Sequence, residues 1–260
     1  MPQSHPNPPN RMPNLNGRLA LVTGASSGIG ASSARALSNA GAHVVCCARR
    51  TDALESVVAS CPSAEAITLD VTDSEACSQA FSSRPFDIVL ANAGMVIGTE
   101  GLADGDPSTW SDIIDTNVKG VLNTLHPVLA GMRERGSGHV ITIGSVAGRS
   151  VYPGGNVYCA SKHAVRAIYE GLRVDLSGSG LRFTTVDPGM VETELSVIRY
   201  QGDKKQADAV YEGMTPLTPE DVADAVLWAA TRPAHVDIGE IVLWPTDQAS
   251  TTMVTRNYVD

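Results

Sequence analysis

The sequence predicts an α/β fold: a doubly wound, seven-stranded parallel sheet with helices on both faces, built as a single domain. Three observations carry this. From Arg18 onward, short β-branched or aliphatic runs alternate with longer segments of helical period. No Pro/Gly/Ser-rich linker interrupts the alternation, so nothing marks a second domain. The 260 residues, 43% hydrophobic and 18% charged, hold enough apolar material for one large core.

The predicted strands follow in chain order. Leu19 to Thr23 (LALVT) and His43 to Cys47 (HVVCC) open the pattern, followed by Ala66 to Asp70 (AITLD) and Asp87 to Ala91 (DIVLA). His139 to Gly144 (HVITIG), Arg182 to Asp187 (RFTTVD) and Glu240 to Leu243 (EIVL) complete it. Such short apolar runs suit strands covered on both faces. Helical segments between them imply right-handed crossovers, which place the ligand crevice at the carboxyl ends of the strands. The first 13 residues contain five of the 15 prolines and almost nothing apolar, too little to offset the entropy of ordering. Residues 1–15 are therefore expected to be a disordered N-terminal tail, and residues 16–260 the folded domain.

Charge and composition exclude several functions. Lys and Arg total 19 against 28 Asp and Glu, a net charge of −9, and no basic block offers a phosphate-tracking surface. No nucleic-acid partner is expected. No apolar run is long enough for a membrane span and no signal peptide is evident, so no membrane partner is expected and the protein is placed in the cytoplasm. The five cysteines form no CxxC pair, and the six histidines form no HExxH arrangement. No metal is expected.

Directly after the first strand comes TGASSGIG, which puts Gly24, Gly28 and Gly30 at a strand-to-helix turn. Glycine there lets the backbone approach a pyrophosphate, whose charge the free N–H groups and the positive helix end stabilise. Standing alone, the motif could equally be a tight structural turn. The strand before it and the helix and strand after it make it the phosphate site of a Rossmann-type nucleotide fold. Where an NAD-binding protein places Asp or Glu, at the end of the second strand, this chain has Ala48 followed by Arg49 and Arg50. Guanidinium groups can bind a 2′-phosphate that a carboxylate would repel, so NADP is the expected cofactor. The alternative is a solvated basic turn.

The stretch SVAGRSVYPGGNVYCASK supplies a second constellation. Tyr158 and Lys162, four apart on a helix, share a face, and Ser145 at the end of a strand can converge on them. Tyrosine normally titrates near 10, and a nearby ammonium is expected to bring it toward a working range. Cys159 and His163 lie close by in sequence but are read, like His139, as packing or ordinary polar residues.

These motifs together resemble the short-chain dehydrogenase/reductase superfamily, from about Leu15 to the C-terminus. LDVTD (Leu69 to Asp73), the NAG of Asn92 to Gly94, Asn117 in TNVKG and PGMVET (Pro188 to Thr193) occur in the order that family shows. The resemblance implies that Tyr158 is the general acid/base, that Ser145 hydrogen-bonds the reacting oxygen and that Lys162 binds the nicotinamide ribose. Asn117 would hold a water that relays protons to Lys162. The cofactor would lie on Gly24, Ser26, Ser27, Gly28, Ile29 and Gly30, with Asp70 and Val71 at its adenine. Asn92, Ala93 and Gly94 would line the cleft, and Pro188, Gly189, Val191 and Thr193 would flank the nicotinamide. Ala91 departs from the usual NNAG.

Within the family, TELSVIRYQGD, LTPEDVADAV and IVLWPTDQ resemble the branch of NADP-dependent serine 3-dehydrogenases and 3-hydroxy acid dehydrogenases. That branch implies a small 3-hydroxy acid or 3-hydroxy amino acid substrate, a lid over about 191–214, and a homotetramer. Arg199 on that lid is the expected grip on the substrate carboxylate. Its alternative is a structural ion pair with Asp203 or Glu194. A ketoreductase of bulky neutral ketones and a non-catalytic NADP-binding regulator are the competing functions.

Overall fold

Seven strands form one all-parallel sheet in the computed structural model, which describes residues 14–257. The first half of the chain runs β1 (Leu19–Thr23), α1 (Gly28–Asn39), β2 (His43–Ala48), α2 (Thr51–Ala59), β3 (Ala64–Thr68), α3 (Ser74–Phe81) and β4 (Ile88–Ala91). Next come α4 (Pro107–Ile114) and α5 (Gly120–Arg135), joined by a π-helical turn at Asp115–Lys119. β5 (Gly138–Ile143) leads through a 3₁₀ turn, Val146–Gly148, to α6 (Asn156–Asp175) and β6 (Leu181–Pro188). The chain closes with α7 (Glu194–Arg199), α8 (Lys204–Ala209), α9 (Pro219–Ala230) and β7 (Glu240–Leu243).

The strand order is β3-β2-β1-β4-β5-β6-β7. Winding therefore reverses beside β1, and the switch point between β1 and β4 opens a crevice at the strands' carboxyl ends. Strand periodicity divides the core into two layers. From β2, Val44 and Cys46 join Leu37 of α1, Leu54 of α2 and Val226 of α9 on one face. Val45 and Cys47 join Phe81 of α3, Leu125 of α5 and Val165 of α6 on the other.

Several strand ends, those of β2, β4, β5 and β6, fall one residue from the sequence reading, and two boundaries differ in a way that changes what a residue does. The third strand, expected over residues 66–70, ends at Thr68, because its register pairs Val44 with Ala64 and Ala48 with Thr68. Asp70 instead accepts bonds from the N–H and hydroxyl of Thr72, both at 3.0 Å, which turns the chain. Leu15, assigned to the tail, is buried in the core, and its N–H donates to the Ala40 carbonyl at 2.7 Å. The remainder of the tail assignment, residues 1–13, lies outside the described residues. No helix among the described residues is long and apolar enough to cross a membrane.

Candidate active site

The nucleotide end of the crevice is shaped by close backbone approach. Gly24 has φ +65°, and a Cβ there would lie 2.8 Å from the Asn92 Nδ2. A Cβ on Gly30 would meet the Gly24 carbonyl at 2.2 Å, so only glycine lets α1 start this close to β1. Thr23 and Asn92 tie the turn to the loop after β4: Asn92 Nδ2 donates to the Thr23 carbonyl at 2.8 Å, and Thr23 Oγ1 accepts from the Asn92 and Ala93 N–H groups. Ser27 caps α1 without a side-chain bond, which leaves the helix's first donors open to an anion. A dinucleotide's pyrophosphate fits this cradle.

The end of β2 decides which dinucleotide fits. Ala48 is buried and carries no acid to hold a ribose hydroxyl. Arg50 donates to Ser27 Oγ at 2.8 Å and to Ser26 Oγ at 3.2 Å, and pairs with Glu194 at 2.8 Å. Arg49 stands 3.6 Å from Asp70. Two exposed guanidiniums beside the glycine turn suit a 2′-phosphate. Val71 packs in the core under Gly120, whose Cβ position is 2.7 Å from the Val71 Cγ2, and its carbonyl accepts from Asn123.

At the other end, Ser145 lies two residues beyond β5 and caps the 3₁₀ turn, accepting from the Ala147 N–H at 3.1 Å. A Cβ on Gly148 would meet the Lys162 carbonyl at 2.7 Å, so this turn presses onto α6 at the level of Lys162. Lys162 Nζ donates to the Ile143 carbonyl at 2.9 Å and lies 5.8 Å from the Tyr158 ring centre. Burial pulls the Lys162 ammonium down to about 8, opposed by the charge of Asp187. The Tyr158 phenol moves the other way from expectation. Burial, with the Tyr152 phenol adding to it, pushes it above the usual tyrosine range, against the Ser145 hydrogen bond and the Arg199 charge. Desolvation outweighs the cations in the protein by itself.

Asn117 sits in the π turn, 1% exposed, with its carboxamide engaged on both sides. Its Oδ1 accepts from the Met95 N–H at 2.7 Å, and its Nδ2 donates to the Met95 carbonyl at 2.8 Å and to Ser161 Oγ at 3.0 Å. It braces the loop after β4 against α6.

Two cavities meet at Ser145 and Tyr158. One, of about 180 Å³, runs from Gly24, Ser27, Gly28 and Ile29 past Asn92 and Gly94 to Lys162, with Pro188, Gly189, Val191 and Thr193 opposite. The sequence reading missed Met95, Ile143, Gly144, Glu194, Leu195 and Ile198, which also line it; Ser26, Gly30, Arg49, Arg50, Asp70, Val71, Ala93 and Asn117 stand outside its wall. The other, of about 280 Å³, is bounded by Tyr152, Ser196, Arg199, Tyr211 and Gln248. Of these only Arg199 is legible in the sequence. Tyr152 lies in the quoted YPGG segment without any period to mark it, and Gln248 arrives from the C-terminal segment.

Arg199 donates to the Tyr152 hydroxyl and to the Gly98 carbonyl, both at 3.3 Å, and lies 5.3 Å over the Tyr152 ring. Neither ion pair considered for it forms: Glu194 pairs with Arg50, and Asp203 caps α8 through Gln206. Cys159 is fully buried beside this site with its thiol pushed up by burial, an inert packing group.

This crevice defines an α/β protein with a dinucleotide-type glycine cradle at one end of a cavity and a Ser, Tyr and Lys group at the other. The family model described as short chain dehydrogenase matches residues 18–203, and the chain belongs to that family. An uncharacterized oxidoreductase of Mycobacterium tuberculosis is 44% identical, over 90% of this chain and 93% of that protein. An NADP-dependent 3-hydroxy acid dehydrogenase of Salmonella typhi is 40% identical, over 89% and 96%. Among solved structures, the closed form of a serine dehydrogenase complexed with NADP+ superposes with a TM-score of 0.87 at 38% identity, over 90% of this chain and 98% of that one.

Proposed function

We propose that this protein is an NADP(H)-dependent oxidoreductase that interconverts a small 3-hydroxy acid, or a 3-hydroxy amino acid of the serine or allo-threonine type, with its carbonyl counterpart. The observation that carries the substrate class is Arg199. It is a guanidinium in the wall of the cavity that opens on Tyr158, and no carboxylate of the described residues lies within ion-pair distance of it. Buried and half-buried cations are kept where they have an anion to meet.

NADP, when bound, supplies or accepts the hydride. Gly24, Ser26, Ser27, Gly28, Ile29 and Gly30 would hold its pyrophosphate half, Arg49 and Arg50 its 2′-phosphate, and Asn92 to Gly94 with Pro188, Gly189, Val191 and Thr193 its nicotinamide half. Tyr158 holds its proton at neutral pH, the state needed to donate to a carbonyl oxygen. Ser145 Oγ bonds and orients that oxygen, and Lys162 stabilises the phenolate as the proton leaves. Asn117 keeps the loop after β4 seated against α6, so that Lys162 keeps its place. Residues 191–214 act as the lid, with Tyr152 steadying Arg199 beneath the substrate carboxylate. A non-catalytic role would need none of Asn117, Ser145, Tyr158 and Lys162, and all four are present.

The test is a screen of 3-hydroxy acids, 3-hydroxy amino acids and neutral ketones with NADP(H), followed by reduced-cofactor absorbance, repeated with Arg199→Met. The variant should raise KM for a 3-hydroxy acid about tenfold or more, the scale of a lost charge-assisted bond, and leave a neutral alcohol of similar size nearly unaffected. Turnover of bulky neutral ketones with no activity on any 3-hydroxy acid would replace this reading with a ketoreductase.

A further inference from the structure

Asp187 is the one Asp or Glu among the described residues that is buried, at 2% exposure. It lies near the carboxyl end of β6, next to the strand end that serves the active site. Its Oδ1 accepts from Thr185 Oγ1 at 2.6 Å and its Oδ2 from Arg149 Nε at 2.7 Å. A Cβ at Gly144 would meet Oδ1 at 2.0 Å, so the carboxylate occupies the space a side chain at position 144 would need. Gly144 stands between Ile143, whose carbonyl accepts from Lys162, and Ser145. Arg149 follows the 3₁₀ turn that Ser145 caps, and its other arm bonds Glu240, which also faces Arg166 at 3.7 Å.

A charge this deep is costly unless the site uses it. We propose that Asp187 is a positioning residue for the Tyr158 and Lys162 pair: its carboxylate, seated against the backbone between the carbonyl that holds Lys162 and Ser145, is the anionic support of the Lys162 ammonium, and its bond to Arg149 anchors the turn that carries Ser145. The inference rests on the function proposed above.

The other groups around Lys162 leave Asp187 as its anionic support. On α6 itself, Tyr158 is a neutral phenol, and Arg166 is turned to Glu170 and Glu240. Arg149, beyond the 3₁₀ turn, is held between Asp187 and Glu240. In the π turn, Asp115 and Lys119 pair with each other at 2.7 Å. Lys162 is 7% exposed and bonded to a neutral carbonyl, a setting in which an ammonium tends to lose its proton. A neutral amine could not stabilise the phenolate that forms on Tyr158.

The experiment follows Lys162 directly in the protein without cofactor, by the pH dependence of its acetylation with acetic anhydride, read by mass spectrometry of its peptide. Asp187→Asn should lower the midpoint by about one pH unit, the low end of the effect of a nearby opposite charge. The alkaline limb of kcat/KM for carbonyl reduction should move with it. A midpoint within about 0.2 unit of the parent's overturns the inference, since a carboxylate that supports the ammonium should act more strongly than that. Should Asp187→Asn not fold, Arg149→Gln decides. It removes the competing charge, and adding Asp187→Asn to it should then lower the midpoint; an unchanged or higher midpoint in the pair overturns the inference. If the parent turns over no carbonyl compound, the functional reading falls while the labelling result stands on its own.

Discussion

At the scale of single residues, the proposed chemistry turns on how burial sets two proton affinities. Tyr158 is held protonated by desolvation, and Lys162 is brought down to about 8 by the same cause. Tyr158→Phe removes the transferable proton with almost no change of shape. It should cut kcat by about 100-fold or more, the usual weight of a general acid, with an unchanged dissociation constant for NADP. Lys162→Ala should weaken both; parent-like rates in Tyr158→Phe would remove the tyrosine from the mechanism. A second residue-scale effect concerns folding rather than catalysis. His139 is buried with its Nε2 bonded to Thr184 at 2.7 Å, and burial, with repulsion from Arg182, holds its imidazole well below the ordinary value. The unfolded chain therefore takes up a proton below about pH 6.5 that the folded chain refuses. Stability from this residue is retained above that pH and falls by roughly 1 kcal/mol per unit below it. Urea midpoints at pH 7.5 and 5.5 should spread more in the parent than in His139→Gln, which cannot titrate. Equal spreads would assign the acid sensitivity elsewhere.

At the scale of elements, the end of β2 is the proposed determinant of cofactor choice. β2 closes on buried Ala48, and the chain then presents Arg49 and Arg50 beside the first turn of α1. A carboxylate at position 49 would repel a 2′-phosphate and restore an acceptor for a ribose hydroxyl. Arg49→Asp should thus weaken NADP by about tenfold or more while leaving NAD unchanged or tighter, checked by fluorescence titration of both cofactors. Similar losses for both would mean that Arg49 serves the fold of the loop instead. Which side chains line the crevice was partly legible at this scale. The glycine turn and the Tyr158 and Lys162 spacing each follow from a local rule of period or turn chemistry, whereas PGMVET was legible only through its resemblance to the family. The third strand, read as residues 66–70, shows the limit of such rules, because its pairing with β2 ends it at Thr68.

At the scale of the whole molecule, surface features point to assembly. β7 is an edge strand, and Val242, Trp244 and the α9 residue Trp228 are exposed around it. Leu122 on α5 is exposed on another face. An open sheet edge rimmed by tryptophan is a surface that proteins cover. A homotetramer with two-fold interfaces is the expected state, and sedimentation at micromolar concentration should show it. Val242→Glu should shift the boundary to a smaller species without loss of helical content. A monomer in the parent would refute the assembly.

By itself, the sequence determined whatever repeats at short range: seven apolar runs, the glycine turn that follows the first of them, and a tyrosine and lysine one helical turn apart. Those features rest on backbone geometry, and they survive in any packing that satisfies them. Tertiary structure alone decided the rest. Tyr152 and Gln248 reach one cavity from segments nearly 100 residues apart, Arg199 meets a tyrosine instead of either acid near it in sequence, and Asp187 lies against a glycine from the neighbouring strand. The proton affinity of Tyr158 shows why. A lysine four residues away can be read along the chain, but the burial that raises the phenol, and the Arg199 charge that opposes it, come from segments that close over the site.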